Sequence, residues 1–218
     1  MAGQRLRDKQ RTRERISQTA TALFLERGFS EVTVAEVAAA AGVSKVTVFA
    51  HFPRKEDLLL DLAPEAVALV SAAVRDRPAG VGPVPALRAL AVHLAEQRHP
   101  LSGLTAGSAP FLRTIASSPA LLSRAREQLA ELEQALGDAL TGNRPGGDTS
   151  DPEPRLLAAL VVAAYRAVVT GTVAQVMDGG PTPAIVADHR RRLDQAFDVL
   201  EAAAAALGTR GAARDGSH

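Results

Sequence analysis

Apolar positions recur at helical spacing along almost the whole chain. Between residues 8 and 27, Ile16, Ala20, Leu23 and Phe24 fall on one face, with Arg and Glu opposite, the pattern of an amphipathic helix. Gly28 suits the left-handed position after a helix end, and Phe29 supplies the apolar contact of such a cap. Thr33 and Glu36 have capping-box spacing, which starts a second helix that Gly42 breaks. Ser44 caps a third, short helix from Lys45 to about His51, and Phe52-Pro53 ends it. Further helices are predicted over 54–77, kinked or divided at Pro64, and over 84–99, 111–117, 119–141, 153–178 and 183–207. The stretch 153–178 is apolar on nearly every side and must be covered all round. Gly/Pro/Ser-rich stretches at 78–85, 100–110 and 142–152 read as loops, and the polar tail 208–218 as disordered. No strand pattern occurs, so the expected fold class is all-α with about nine helices.

Composition narrows the possible functions. The chain has 218 residues, 46% of them hydrophobic, which suffices for a core without staples. It has no cysteine, so a disulfide scaffold, a cysteine nucleophile and a cysteine-ligated metal site are excluded. With aromatics at 3%, the core must be made of Ala, Leu and Val. No secretory signal or membrane span is expected, and the reading is a cytoplasmic protein. Net charge is only +1, but residues 1–57 hold ten Lys/Arg against seven Asp/Glu, and the first fifteen hold six bases against two acids. A basic end on a near-neutral body points to a polyanionic partner.

Residues 33–52 carry the most information. Two short capped helices joined by a Gly-containing turn are the helix-turn-helix arrangement. Ala38 is small where the helices cross, and Val37, Val43 and Val48 form a shared core. Lys45, Val46, Thr47, Ala50 and His51 then face outward on a helix short enough to enter a major groove.

Residues 16–58 resemble the DNA-binding domain of the TetR family of transcriptional regulators. The resemblance runs through Ala22-Leu23-Phe24, Gly28-Phe29, Thr33 to Ala38, Ala41 to Ser44, Thr47-Val48-Phe49 and His51 to Leu58. It implies an N-terminal three-helix domain (1–53, with the basic arm) and a helical ligand-binding and dimerisation body (54–207). It also implies DNA-contact roles for Thr33, Ser44, Lys45, Val46, Thr47, Phe49, His51 and Lys55. Lys55 would contact phosphate. Thr33 and Ser44 would cap helices whose N-termini face phosphates. Phe49 is a departure, because the family usually has a Tyr there whose hydroxyl reaches phosphate. Val46 stands where Gly is frequent, and its methyls could meet a thymine methyl. The Arg-rich arm at 5–15 would reach a minor groove or add counterion release.

The resemblance further implies a homodimer on a palindromic operator, acting as a repressor and responding to a small-molecule effector. The last two long helices, rich in Ala163, Ala167, Gly171, Ala174, Ala196 and Ala203, are the expected dimer interface. Candidate effector contacts are His93, Leu94, Phe111, Ile115, Tyr165, Arg166, Val169 and Met177, with Leu112, Leu129, Arg98 and Arg113 nearby. No cofactor or metal is called for. Two alternatives stay open: an architectural DNA binder without ligand, and an α-helical enzyme. Against the enzyme, no Gly-x-Ser-x-Gly, phosphate-binding loop or dinucleotide fingerprint occurs. The spacings His93/Glu96 and His189/Arg192 read as surface pairs.

Overall fold

In the computed structural model, the described residues are 2–142 and 153–215, and they form nine α-helices and no strand. The helices are α1 (Ala2–Arg27), α2 (Val34–Ala40), α3 (Lys45–His51), α4 (Ala63–Arg75), α5 (Pro83–Glu96), α6 (Ser108–Ser117), α7 (Pro119–Gly142), α8 (Glu153–Gly179) and α9 (Pro183–Asp215). Short 3-10 turns occupy Glu56–Leu58 and Pro100–Ser102. Apart from Gly142, the expected loop at 142–152 lies outside the described residues, as do the last three residues of the expected tail.

The fifth helix ends at Glu96, three residues before the expected 99, and four further differences from the sequence expectation stand beside it. The helix α1 begins at Ala2 instead of residue 8, because Arg, Lys, Gln and Leu are strong helix formers; the basic arm is therefore helical. Residues 54–77 are not one kinked helix. Pro64 is the second residue of α4, a first-turn position where its missing N–H costs nothing. The short helix expected over 111–117 starts earlier, at Ser108. The last helix runs through Asp215, past the expected end at 207, since Ala, Leu and Arg outweigh Gly208 and Gly211 there.

The chain forms two compact units. The first comprises residues 1–62 and 110–127, and so reaches beyond the expected boundary at 53. Its core joins Ile16, Ala20 and Phe24 of α1 to Val37 and Ala38 of α2, Val48 of α3, Phe52, Leu58 and Leu121. The Phe24 and Phe29 rings lie 5.0 Å apart. Arg124 of α7 donates to Asp57 Oδ1 at 2.7 Å, a largely shielded pair that ties the first half of α7 to the 3-10 turn.

The second unit holds residues 63–109 and 128–218. Here α9 packs against both α5 and α8. Its apolar stripe, Leu193, Phe197 and Leu200, is buried. Arg88 of α5 lies among Asp194, Asp198 and Glu201 of α9, and Arg190 of α9 pairs with Glu96 of α5. Among the described residues, α8 is the one helix long and apolar enough to cross a membrane. Val161, Val168, Thr172 and Val176 bury one face of it, while Leu156, Ala163, Ala167 and Ala174 remain exposed. The sequence expectation of all-round burial is thus met on one side only within a single chain.

His189 is not on the surface. It is 1% exposed, because it shares the α9 stripe with Leu193 and Phe197. Its Nδ1 lies 2.8 Å from Thr172 Oγ1, whose hydroxyl donates to the Val168 carbonyl at 3.0 Å. The hydroxyl's proton is therefore committed, so Nδ1–H donates and Nε2 is a bare acceptor without a partner among the described residues. Burial, and then the nearby Arg192 charge, lower the His189 pKa against the opposing pull of Asp188. The folded protein thus keeps a neutral ring, while an unfolded histidine protonates near pH 6.5. Stability is full above that pH and falls as pH drops toward the lowered folded value, by up to about 1.4 kcal/mol per pH unit. Thermal melts between pH 7.5 and 5 are expected to show this slope, and His189→Gln is expected to reduce it.

Candidate nucleic-acid interface

The reading head is built by local chemistry. Thr33 caps α2: its hydroxyl accepts from the Glu36 N–H at 3.2 Å, and Glu36 returns the bond to the Thr33 N–H at 2.8 Å. That backbone donor, then Arg27 at 2.6 Å and the Thr33 hydroxyl, hold the Glu36 carboxyl at a pKa of about 2. Gly42 takes φ +64°, the left-handed turn that lets α3 leave α2 at 102°. Ser44 caps α3 by accepting from the Thr47 N–H at 3.0 Å. Val37 and Val48 are wholly buried between the helices, and Ala38 is 4% exposed.

This places the expected contact residues unequally. Lys45, Val46, Phe49 and Ala50 are exposed on α3, Val46 at 79% and Phe49 at 42%. The Lys45 ammonium stands 5.8 Å from the Phe49 ring centre. Thr33 and Ser44 are exposed as caps. Thr47 is half-buried, its hydroxyl 2.8 Å from that of Ser44. His51 is half-buried at the far end of α3, and burial, followed by the Lys9 and Arg13 charges, lowers its pKa. Lys55 turns inward: its ammonium lies 4.4 Å from the Phe29 ring centre and 5.7 Å from that of Phe24, and desolvation lowers its pKa.

Sequence reading missed the residue that holds α3 in place. Arg13 of α1 donates through Nη1 to the His51 carbonyl at 2.7 Å and through Nη2 to the Asp61 carbonyl at 3.1 Å. Its guanidinium lies 4.2 Å from the Phe52 ring centre. One turn on, Ser17 donates to Asp61 Oδ2 at 2.5 Å. The signal was present, because positions 13, 17, 20 and 24 share the inward face of α1, and an arginine on an apolar face marks a buried partner.

The effector candidates fall in both units. Phe111 and Ile115 pack against the core of the first unit. In the second, Leu94 is buried on α5, while His93 and Arg166 are exposed. Tyr165, Val169 and Met177 are half-buried on α8. The Tyr165 hydroxyl donates to the Leu101 carbonyl at 3.1 Å, and burial raises its pKa to about 12. Among the described residues, no group of acidic and histidine side chains could hold a metal ion.

Comparison with known proteins agrees with this geometry. Residues 16–62 match the family described as bacterial regulatory proteins, tetR family, and residues 111–205 match the MftR C-terminal domain. The HTH-type transcriptional regulator TcmR of Streptomyces glaucescens is 31% identical over 170 residues, which are 76% of this chain and 75% of that protein. The HTH-type transcriptional repressor AcnR of Corynebacterium diphtheriae is 27% identical over 190 residues, 87% of this chain and 89% of its own. The fold is shared with NalD, the secondary repressor of the MexAB-OprM multidrug efflux pump in Pseudomonas aeruginosa, at a TM-score of 0.55 and 19% identity, over 88% of this chain and 96% of that one. A capped α2, a glycine turn and an exposed α3 in the matched segment, with relatives similar along most of their length, lead to one conclusion: the chain belongs to the TetR family of bacterial transcriptional regulators.

Proposed function

We propose that this protein is a repressor that occupies a palindromic operator as a homodimer and leaves it when a small molecule binds the helical body. TetR-family regulators bind DNA operators and typically act as homodimers with small-molecule effectors. The observation that carries the reading for this chain is α3. It is a seven-residue helix packed from behind through Val48, with Lys45, Val46, Phe49 and Ala50 turned to solvent. One such helix reads only a half-site, so useful affinity requires two. Support for the dimer comes from the exposed faces of α8 (Leu156, Ala163, Ala167, Ala174) and α9 (Val199, Ala202), whose small and apolar side chains allow close helix approach. Support for repression comes from AcnR, a named repressor. The effector would contact the body near Leu94, Tyr165, Val169 and Met177. It can shift the DNA-binding equilibrium only by its differential affinity for the bound and released forms. The protein would work in the cytoplasm, where the family typically acts.

A gel-shift titration with DNA from upstream of its own gene, at two salt concentrations, tests this. The expected result is a competitor-resistant shift whose footprint is palindromic, with log K falling linearly in log salt. Weak binding with no sequence preference would replace the repressor by an architectural role, and no binding at low salt would remove the DNA-binding reading altogether.

A further inference from the structure

We infer that the apolar stripe of α3, led by Val46, reads the 5-methyl group of thymine, so that each operator half-site carries a thymine facing Val46. The inference rests on the DNA-binding reading of α3 and adds what α3 selects. Val46 is the most exposed large hydrophobic side chain among the described residues, at 79%. Phe49, 42% exposed, follows one turn later, and Ala50 completes the same face. None of the three side chains carries a donor or acceptor, and at the start of α3 the Thr47 N–H is taken by the Ser44 cap and the Val48 N–H by the Ser44 carbonyl. The two hydroxyls at the start of the helix, Ser44 and Thr47, lie 2.8 Å apart and share one hydrogen bond. The exposed face formed by Val46, Phe49 and Ala50 is apolar, with the Lys45 ammonium beside the Phe49 ring as its nearby charge.

A major groove offers such a surface one complementary feature. Every base edge there presents donors or acceptors, and only thymine adds a methyl group. Against a cytosine or purine edge, Val46 would desolvate polar atoms without replacing their hydrogen bonds, which disfavours those bases. Against thymine it buries methyl on methyl. Burial of one methyl-sized group is worth about a fourfold change in affinity, and a palindrome that loses it in both half-sites changes by about fifteenfold.

The test uses the full-length protein and the operator defined by footprinting. Each thymine is replaced in turn, in symmetric pairs, by deoxyuridine, which removes the methyl and leaves pairing unchanged. One pair is expected to weaken wild-type binding by about fifteenfold. Val46→Ala, a change at an exposed position that leaves the fold intact by circular dichroism, is expected to bind the thymine and deoxyuridine forms equally. The inference is overturned if no deoxyuridine pair weakens binding, or if the loss is the same in Val46→Ala as in wild type; in both cases the regulator reading stands. Failure to find any operator would overturn the DNA-binding reading, and this inference with it.

Discussion

Replacing Val199 with glutamate is expected to make the protein monomeric and to weaken operator binding by about three orders of magnitude. Val199 is 69% exposed on α9, although it lies on a helix whose opposite stripe packs in the core. A two-fold interface uses the same patch on both subunits, so one substitution places two carboxylates in it. A charge buried there without a partner costs several kcal/mol, enough to dissociate a dimer of ordinary affinity. A single head then retains only half-site contacts, whereas operator complexes of dimers reach roughly 10⁻⁸–10⁻¹¹ M. Sedimentation velocity and gel shift on the same samples check this. The exposed position predicts an unchanged melting profile for the isolated subunit. A Val199→Glu protein that still sediments as a dimer would take this face of α9 out of the interface.

Arg13→Ala is expected to lower operator affinity on the order of a hundredfold while leaving helical content intact. The guanidinium satisfies the last carbonyl of α3 and the Asp61 carbonyl together, and it covers the Phe52 ring. A positive charge at a helix C-terminus is favourable, and hydrogen bonds from charged groups contribute about 1.5–3 kcal/mol. With α3 only seven residues long, its far end is otherwise held by the packing of Val48 and Phe52. A loss of about 1.4 kcal/mol in each of two heads multiplies to roughly a hundredfold. Arg13→Lys is expected to recover only part, because an ammonium cannot bridge two carbonyls as a planar fork does. Unchanged affinity in Arg13→Ala would mean that Val48 and Phe52 position α3 by packing alone.

Both substitutions fall on residues whose roles local pattern could not reveal. Thr33, Glu36, Gly42 and Ser44 act within a few residues of themselves, so spacing alone predicted the caps and the turn. Arg13 acts across 38 and 48 residues, and the Lys55 ammonium lies beside rings at positions 24 and 29. His189 read as polar surface because its neighbours Asp188, Arg190, Arg191 and Arg192 are charged, yet its place on the stripe with Leu193 and Phe197 decided its burial.

By itself, the sequence determined the all-helical class and the helix-turn-helix, with Lys45, Val46 and Ala50 on the outer face of α3. Those depend on periodicity, capping and glycine geometry, which are short-range. Only the tertiary structure decided that the first unit recruits residues 110–127 from the middle of the chain, that Phe111 and Ile115 pack against its core, and that α8 keeps an uncovered face. Burial depends on which surfaces meet after the chain has folded back on itself. An apolar residue carries the same signal in sequence whether it meets its own core, an effector or a second subunit.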